Sequence, residues 1–173
     1  MDGDGDLDIV SQSNLDDTIA WYENDGAADP SWTAADIDTN INGGNGHWGG
    51  DSVAADMDGD SDLDLVSTQN GTTVWYENDG ASDPSWTVAT ISTMGFASIH
   101  VTDMDNDGDL DIVAPYWGAI HYYENDGASD PSWTQGTNIS SSSGSASVYV
   151  ADMDGDSDLD VASAEFGTDT IAW

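Results

Sequence analysis

Asp56-Met-Asp-Gly-Asp-Ser-Asp-Leu-Asp64 has an aspartate at positions 1, 3, 5, 7 and 9 of a nine-residue stretch. Close copies run from Asp103 to Asp111 and from Asp152 to Asp160, and an incomplete copy runs from Met1 to Asp8. We number these loops 1 to 4 in chain order, so the quoted stretch is loop 2. Carboxylates at this spacing let one short turn surround a hard cation with oxygen atoms. The pattern therefore predicts calcium-binding loops.

The predicted ligands are the aspartates of each loop. Positions 1, 3 and 5 offer side-chain oxygens, position 7 offers its backbone carbonyl, and position 9 closes the site. Oxygen ligands without His or Cys favour calcium over zinc, and magnesium would need stricter octahedral geometry and more bound water. The alternative is an acidic turn that is simply solvated. The candidate metal ligands are Asp2, Asp4, Asp6 and Asp8 in loop 1; Asp56, Asp58, Asp60, Asp62 and Asp64 in loop 2; Asp103, Asp105, Asp107, Asp109 and Asp111 in loop 3; and Asp152, Asp154, Asp156, Asp158 and Asp160 in loop 4.

The charge balance of the chain is one-sided. Its 173 residues include 35 acidic residues and neither Lys nor Arg, which gives a formal charge of −35. Two carboxylates about 4 Å apart repel each other by roughly 4 kcal/mol at an effective dielectric constant near 20, so a metal is the expected counter-charge. An acidic surface of this kind also fits life in high salt. The lack of cationic side chains excludes nucleic acid as a partner.

The composition also bears on location. No apolar run approaches the roughly 20 residues that a membrane-spanning helix needs, so we expect no membrane insertion. The chain contains no Cys, and bound metal can replace disulfides as the stabilising element of a secreted domain. We predict an extracellular or cell-surface location, although no signal peptide is visible because Met1 is followed directly by acidic residues.

The loops belong to a longer repeat. Asp56 and Asp103 are 47 residues apart, and Asp103 and Asp152 are 49 residues apart. Period-two alternation within each unit predicts four short strands, and four antiparallel strands in a unit of this length are typical of a β-propeller blade. A second marker recurs as Trp21-Tyr-Glu-Asn-Asp-Gly26, Trp75-Tyr-Glu-Asn-Asp-Gly80 and Tyr122-Tyr-Glu-Asn-Asp-Gly127. In the third unit the predicted strands are Ser98–Thr102, Leu110–Ala114, Ile120–Glu124 and Trp133–Ile139.

We therefore predict an all-β, β-propeller-type array of four-stranded antiparallel blades in a single repeat domain, 1–173. Both ends fall inside a blade, which leaves about three and a half blades of the usual ring of four to eight. The first blade lacks its opening strand and the last lacks its closing strand, and unpaired edges of this kind favour self-association. The expected limits are a partial blade 1–41, blades 51–93 and 97–141, and a partial blade 146–173.

The loop pattern Asp-x-Asp-x-Asp-Gly/Ser-Asp-Leu-Asp, placed after a strand in a unit of blade length, resembles the FG-GAP/VCBS repeat family, which includes the propeller of integrin α-subunits. The resemblance covers essentially the whole chain. It implies a propeller with calcium in the loops between the first and second strands. It further implies a role in adhesion, in sugar binding as in some lectins, or as an accessory domain of a secreted enzyme.

The aromatic residues divide into recurring and single positions. Recurrence at equivalent positions predicts packing between blades. The recurring residues are Trp21, Trp75 and Tyr122 on third strands and Trp32, Trp86 and Trp133 on fourth strands. Trp48, Trp117 and His47 do not recur and are predicted to lie in loops, where an exposed aromatic ring can hold a sugar. These three residues are the candidate ligand contacts.

The sequence offers no catalytic constellation. His100 occupies the strand position of Val53 and Tyr149, and His121 occupies that of Val74, so we interpret both as strand substitutions. The paired carboxylates are better explained by metal than by glycoside hydrolysis. We predict a non-enzymatic calcium-binding extracellular domain that binds carbohydrate or a cell-surface protein. The alternatives are a structural protein that assembles through open blade edges and an accessory domain of a larger secreted enzyme.

Overall fold

The computed structural model describes residues 1–13, 15–41, 50–69, 71–140, 145–165 and 169–173. These residues form fourteen strands and no helix, and the strands form four antiparallel sheets that follow one another along the chain. The described part of the chain thus contains no helix with the length and hydrophobicity needed to cross a bilayer. The prediction of an all-β array of blades is confirmed.

Each sheet is a meander in which sequence neighbours pair antiparallel. Sheets 2 and 3 have four strands, and sheets 1 and 4 have three. Sheet 1 contains β1 Ile9–Ser13, β2 Thr18–Asn24 and β3 Trp32–Asp38; sheet 2 contains β4 Ser52–Ala55, β5 Asp64–Gln69, β6 Thr72–Asn78 and β7 Trp86–Ser92; sheet 3 contains β8 His100–Thr102, β9 Asp111–Tyr116, β10 Ala119–Asn125 and β11 Trp133–Gln135; sheet 4 contains β12 Ser145–Ala151, β13 Asp160–Glu165 and β14 Thr170–Ala172.

The fourth strand of sheet 3 is shorter than predicted. The sequence pattern extended it to Ile139, but β11 ends at Gln135. At Gly136 the backbone passes so close to Tyr122 that an added Cβ would lie 2.7 Å from the ring. Beyond that point the chain leaves the regular ladder, and only an isolated bridge between Ser140 and Ile120 follows.

The core consists of three apolar clusters, each lying between two successive sheets. Because side chains alternate across a strand, each inner sheet has one face for each neighbour. In sheet 2, Leu65 shares a cluster with Ile19 of sheet 1. The adjacent residue, Val66, shares a different cluster with Ile112 of sheet 3. The sheets therefore pack face to face like the blades of a propeller.

The recurring aromatics differ in their burial. Trp21 on β2 and Trp75 on β6 are 3% and 1% exposed, which agrees with the packing predicted for them. Trp32, the first residue of β3, is 43% exposed, so the packing prediction is wrong for this residue. Its counterparts Trp86 and Trp133 are partly buried and pack against the clusters that sheets 2 and 3 share with the preceding sheet.

One face of sheet 4 is open to solvent. Ile171 and Trp173 are 83% and 74% exposed, and Tyr149 on the same sheet is 63% exposed. The counterparts of the first two in sheet 1, Ile19 and Trp21, are both buried, and Ile19 shares a cluster with Leu65 of sheet 2. The open face thus carries the same residue types that pack between sheets elsewhere in the chain.

Candidate metal centre

Loops 2, 3 and 4 connect the first and second strands of sheets 2, 3 and 4. The last aspartate of each loop is the first residue of the second strand. It pairs with the last residue of the first strand, as in the pairs Ala55 with Asp64 and Thr102 with Asp111. The sheet therefore closes each loop at its base and brings the two ends of the acidic segment side by side.

The carboxylates of loop 2 shape the loop by accepting backbone hydrogen bonds. Asp56 accepts from Gly59 N at 2.8 Å through Oδ1 and from Ser61 N at 3.0 Å through Oδ2. Asp58 accepts from the backbone N–H of Asp60 at 3.2 Å. Ser61 adopts a left-handed conformation with φ of 81°. Loops 3 and 4 repeat the pattern, in which the first aspartate, Asp103 or Asp152, accepts from residues four or five positions ahead.

Each of loops 2 to 4 brings three carboxylates together. Within a group, one oxygen of every member lies within 4.8 Å of the others. Oxygens that share a calcium ion at 2.3–2.6 Å are necessarily about 5 Å apart or closer, so these groups have the right spacing for that ion. The groups are Asp56, Asp58 and Asp60; Asp103, Asp105 and Asp111; and Asp152, Asp154 and Asp160.

The three groups all contain positions 1 and 3 of their loop, but they differ in the third member. Position 5 completes the group in loop 2, where Asp60 takes part, whereas position 9 completes it in loops 3 and 4. Asp107 and Asp156 at position 5, and Asp64 at position 9, lie outside these groups. No described group contains positions 1, 3, 5 and 9 together, and their joint use as ligands stays a prediction.

Position 9 is buried and held by the backbone. Asp64 is 0% exposed and accepts from Asn78 N at 2.9 Å and from Met57 N at 3.0 Å. Asp111 is also 0% exposed and accepts from the backbone N–H groups of Asn125 and Met104. Burial raises the pKa of Asp64 to about 6 and raises the pKa of Asp111 above its usual range, because the chain has no Lys or Arg to pair with them.

Position 7 turns its side chain away from the group. A Cβ added to Gly80, in the turn between the third and fourth strands, would lie 2.1 Å from Asp62 Oδ2. Asp6 and Asp109 contact Gly26 and Gly127 in the same way. A Cβ added to either glycine would lie 2.0 Å from Oδ2 of the aspartate. The side chain of position 7 thus contacts the turn of its own sheet. The assignment of its backbone carbonyl as a ligand stays a prediction.

We expect Gly80→Ala to destabilise the protein more than Gly71→Ala. Gly80 has φ of 68° and Gly71 has φ of 77°. Both angles lie in the left-handed region, where an L side chain costs about 1–2 kcal/mol. Only Gly80 faces a carboxylate, since a Cβ at Gly71 meets nothing within 4 Å. Displacing Asp62 should add about 1 kcal/mol to the loss. Urea unfolding of both variants measures the difference, and equal losses would show that Asp62 moves aside freely.

Loop 1 differs from the other three. The Met1 ammonium group forms an ion pair with Asp8 Oδ2. Burial of Asp8 acts to raise its pKa, but the bonds from this ammonium group and from Asn24 N hold it below its usual value. Residues 2–8 lie within the described part of the chain and contribute no group of three converging carboxylates. The described structure therefore offers three candidate centres.

An asparagine that the sequence analysis did not single out connects the loops to the sheets. Asn24, Asn78 and Asn125 are the last residues of β2, β6 and β10, within the recurring marker. Each donates its backbone N–H to the position 9 carboxylate and its side-chain amide to the carbonyl of position 8 in the same loop. Recurrence of this asparagine within the marker, at the end of an apolar strand, was the available signal.

The candidate ligand contacts lie apart from the loops. Trp117 is 91% exposed and has φ of 35° in the tight turn between β9 and β10, at the opposite end of sheet 3 from loop 3. His121 is buried, contacts the ring of Phe96 and is hydrogen-bonded to Gln135. His47 and Trp48 lie outside the described residues.

Three overlapping segments, 1–67, 56–114 and 103–163, match the model of a family described as FG-GAP-like repeat. The second and third segments each begin at the first aspartate of one complete loop and extend past the next loop. The chain belongs to the FG-GAP-like repeat family. The resemblance inferred from the acidic loops is therefore confirmed, and the matches cover almost all of the chain.

A solved structure of an Agrocybe aegerita lectin is similar to this FG-GAP-like repeat chain, with a TM-score of 0.63 at 18% sequence identity. The match covers 94% of this chain and 44% of the lectin, so the chain spans less than half of that protein. The lectin structure is described as the basis of specific recognition of non-reducing terminal N-acetylglucosamine. At this identity the likeness shows the β-propeller-like fold alone. Among curated proteins, no significant match was found.

Proposed function

We propose that this chain is a calcium-stabilised, non-catalytic binding domain that works outside the cell. The observation that carries the proposal is the convergence of three carboxylates in each of loops 2, 3 and 4, in a chain without a single Lys or Arg. No side chain other than His can supply a positive charge to these groups, so a bound cation is the available partner.

The donor set favours calcium among common cations. Carboxylate oxygens are hard ligands, and loops 2 to 4 contain neither the Cys nor the His that zinc prefers. Extracellular calcium modules bind with a dissociation constant of roughly 0.1–1 mM, which keeps them loaded outside the cell and empty inside it.

Calorimetric titration of the chelator-stripped protein with calcium tests the proposal. We expect about three sites, one for each of loops 2 to 4, with dissociation constants near the millimolar range. Asp105→Ala, which removes a member of the loop 3 group, should lower the number of sites by one. Asp36→Ala, on the exposed surface of β3, is the matched control and should leave it unchanged. Absence of binding heat, or equal effects of both variants, would refute the proposal.

The ligand proposed for the domain is a carbohydrate. Trp117 presents almost its whole ring to solvent and sits on a rigid two-residue turn with Gly118, which also has a positive φ. A flat aromatic surface held this way can stack on a sugar ring without a large entropy loss. The similar lectin, described as recognising terminal N-acetylglucosamine, supports a sugar as the ligand class. A cell-surface protein remains the alternative ligand.

A glycan array probed with the calcium-loaded chain tests this ligand. We expect binding to a defined set of terminal sugars, and a loss of at least tenfold in affinity for Trp117→Ala, because truncating a tryptophan at a binding hot spot costs about 2 kcal/mol or more. Trp32→Ala, at a partly exposed tryptophan on β3, is the matched control. Glycan binding that survives Trp117→Ala would place the sugar elsewhere.

A second candidate function is self-association. It is favoured by the open face of sheet 4, where Tyr149, Ile171 and Trp173 expose apolar surface of the kind that packs between sheets elsewhere in the chain. Light scattering at micromolar concentration separates the candidates, since a simple binding module stays monomeric. The role of accessory domain in a larger secreted enzyme is a further alternative.

A further inference from the structure

Asn125 connects two acidic loops that belong to different sheets. Its side-chain Nδ2 donates to Leu110 O in loop 3 at 3.2 Å and to Met57 O in loop 2 at 2.9 Å. Its backbone N–H donates to Asp111 Oδ1, in the group of loop 3, at 3.0 Å. The side chain is 1% exposed. One buried residue therefore contacts both loops at the same time.

The bonding capacity of this side chain is fully used. An amide has two N–H donors and one carbonyl oxygen. The two donors of Asn125 reach the two loops, and its Oδ1 accepts from Gly127 N at 3.1 Å. Asp lacks the donors, and Gln would displace them by one methylene. The position thus requires the shape and the hydrogen bonding of Asn.

The contact in loop 2 lies between two members of its carboxylate group. Met57 separates Asp56 from Asp58, both of which converge in the group. Its N–H donates to Asp64 Oδ2 at 3.0 Å, while its C=O accepts from Asn125. Met57 is 2% exposed and packs in the core between sheets 2 and 3. A shift of Asn125 would therefore move the backbone that carries Asp56 and Asp58.

We propose that Asn125 couples loops 2 and 3, so that a cation bound in one loop raises the affinity of the other. This inference rests on the calcium binding proposed above. Ordering loop 3 fixes Asp111, and with it the backbone of Asn125 and the amide that holds Met57 O. Loop 2 then loses less conformational freedom when it binds its own cation, which produces positive cooperativity. Asn78 forms the equivalent bridge from loop 2 to Met1 O in loop 1.

A second pair of loops allows a comparison, because no such bridge joins it among the described residues. Loops 3 and 4 also belong to neighbouring sheets, and Met104 of loop 3 packs against the cluster between those sheets. Among the described residues, however, no side-chain amide donates to Met104 O. Coupling by general packing between sheets would act on both pairs, whereas coupling through Asn125 acts only on loops 2 and 3.

Calcium titrations of full-length variants measure the coupling. Asp154→Ala with Asp156→Ala switches off loop 4 and leaves the pair of loops 2 and 3. Adding Asp58→Ala with Asp60→Ala switches off loop 2 and isolates loop 3. Adding Asp105→Ala with Asp107→Ala instead switches off loop 3 and isolates loop 2. The coupling factor is the product of the two stepwise affinities in the pair divided by the product of the isolated affinities. The pair of loops 3 and 4 is treated in the same way, with loop 2 switched off.

We expect a coupling factor of about fivefold or more for loops 2 and 3, within the usual range of coupled sites, and a factor near one for loops 3 and 4. Asn125→Ala should reduce the first factor to near one, while Asn24→Ala, which removes an amide that bonds only to its own loop, should not change it. Equal factors for the two pairs would overturn the inference, even if Asn125→Ala failed to fold. Three independent sites would overturn it and leave calcium binding intact, whereas no binding would remove both.

Discussion

Removing calcium is expected to lower the melting temperature of this protein by about 10–30 °C. Each site with a dissociation constant of roughly 0.1–1 mM contributes about 1.4–2.7 kcal/mol at 10 mM calcium, because the ligand binds only the folded state. Three sites together contribute about 4–8 kcal/mol, which is comparable to the whole stability of a typical domain. For a chain of this length, 1 kcal/mol corresponds to about 2–4 °C.

Circular dichroism melting in 10 mM calcium and in excess EDTA measures this shift. The control is sodium chloride at matched ionic strength, because salt also screens repulsion among the 35 acidic residues. A second control is 10 mM magnesium, which should stabilise less, since it needs octahedral geometry and releases its water reluctantly. If sodium chloride alone restored the melting temperature, general screening rather than specific binding would account for the stability.

Trp75→Ala is expected to lose about 3–5 kcal/mol of the free energy of unfolding, the cost of removing a fully buried aromatic side chain. Trp75 is 1% exposed and lies in the cluster between sheets 2 and 3, together with Val66 of its own sheet and Ile112 of the next. The truncation leaves a cavity between two sheets that have no other direct support from a helix or a disulfide in the described structure.

Urea unfolding in saturating calcium measures this loss, with Trp117→Ala as the matched control. Trp117 is 91% exposed, so its truncation should change stability by no more than about 0.5 kcal/mol. The control keeps a Cβ at the turn and therefore leaves its backbone strain unchanged. A loss below about 1 kcal/mol for Trp75→Ala would show that the interface between sheets 2 and 3 contributes little to folding.

Most of the fold could be predicted from local patterns. The alternation of apolar and polar residues predicted the strands of the third unit to within a few residues, apart from the fourth strand, which ends at Gln135 instead of Ile139. At Gly136 the chain lies against the ring of Tyr122, and beyond it only the isolated bridge between Ser140 and Ile120 continues the pairing. These are contacts between strands, which the pattern within the segment does not contain.

The candidate centres were predicted less completely than the fold. The spacing of aspartates indicated which segments form the loops, but the membership of each carboxylate group depends on how the loop is hydrogen-bonded. Asp64 and Asp111 occupy the same loop position, yet only Asp111 belongs to a group. The bridge from Asn125 to Met57 joins residues that are 68 positions apart, a distance at which no local pattern carries information.

The sequence by itself determined the acidic loops, the period of the repeat and the alternating strands, because each depends on interactions among residues close together in the chain. Only the tertiary structure decided which faces are covered and which loops touch. Trp75 and Trp173 occupy equivalent positions in the repeat, yet one is 1% exposed and the other 74%. Their burial differs because it depends on whether another sheet lies against that face, and equivalent residues in a repeat do not contain that information.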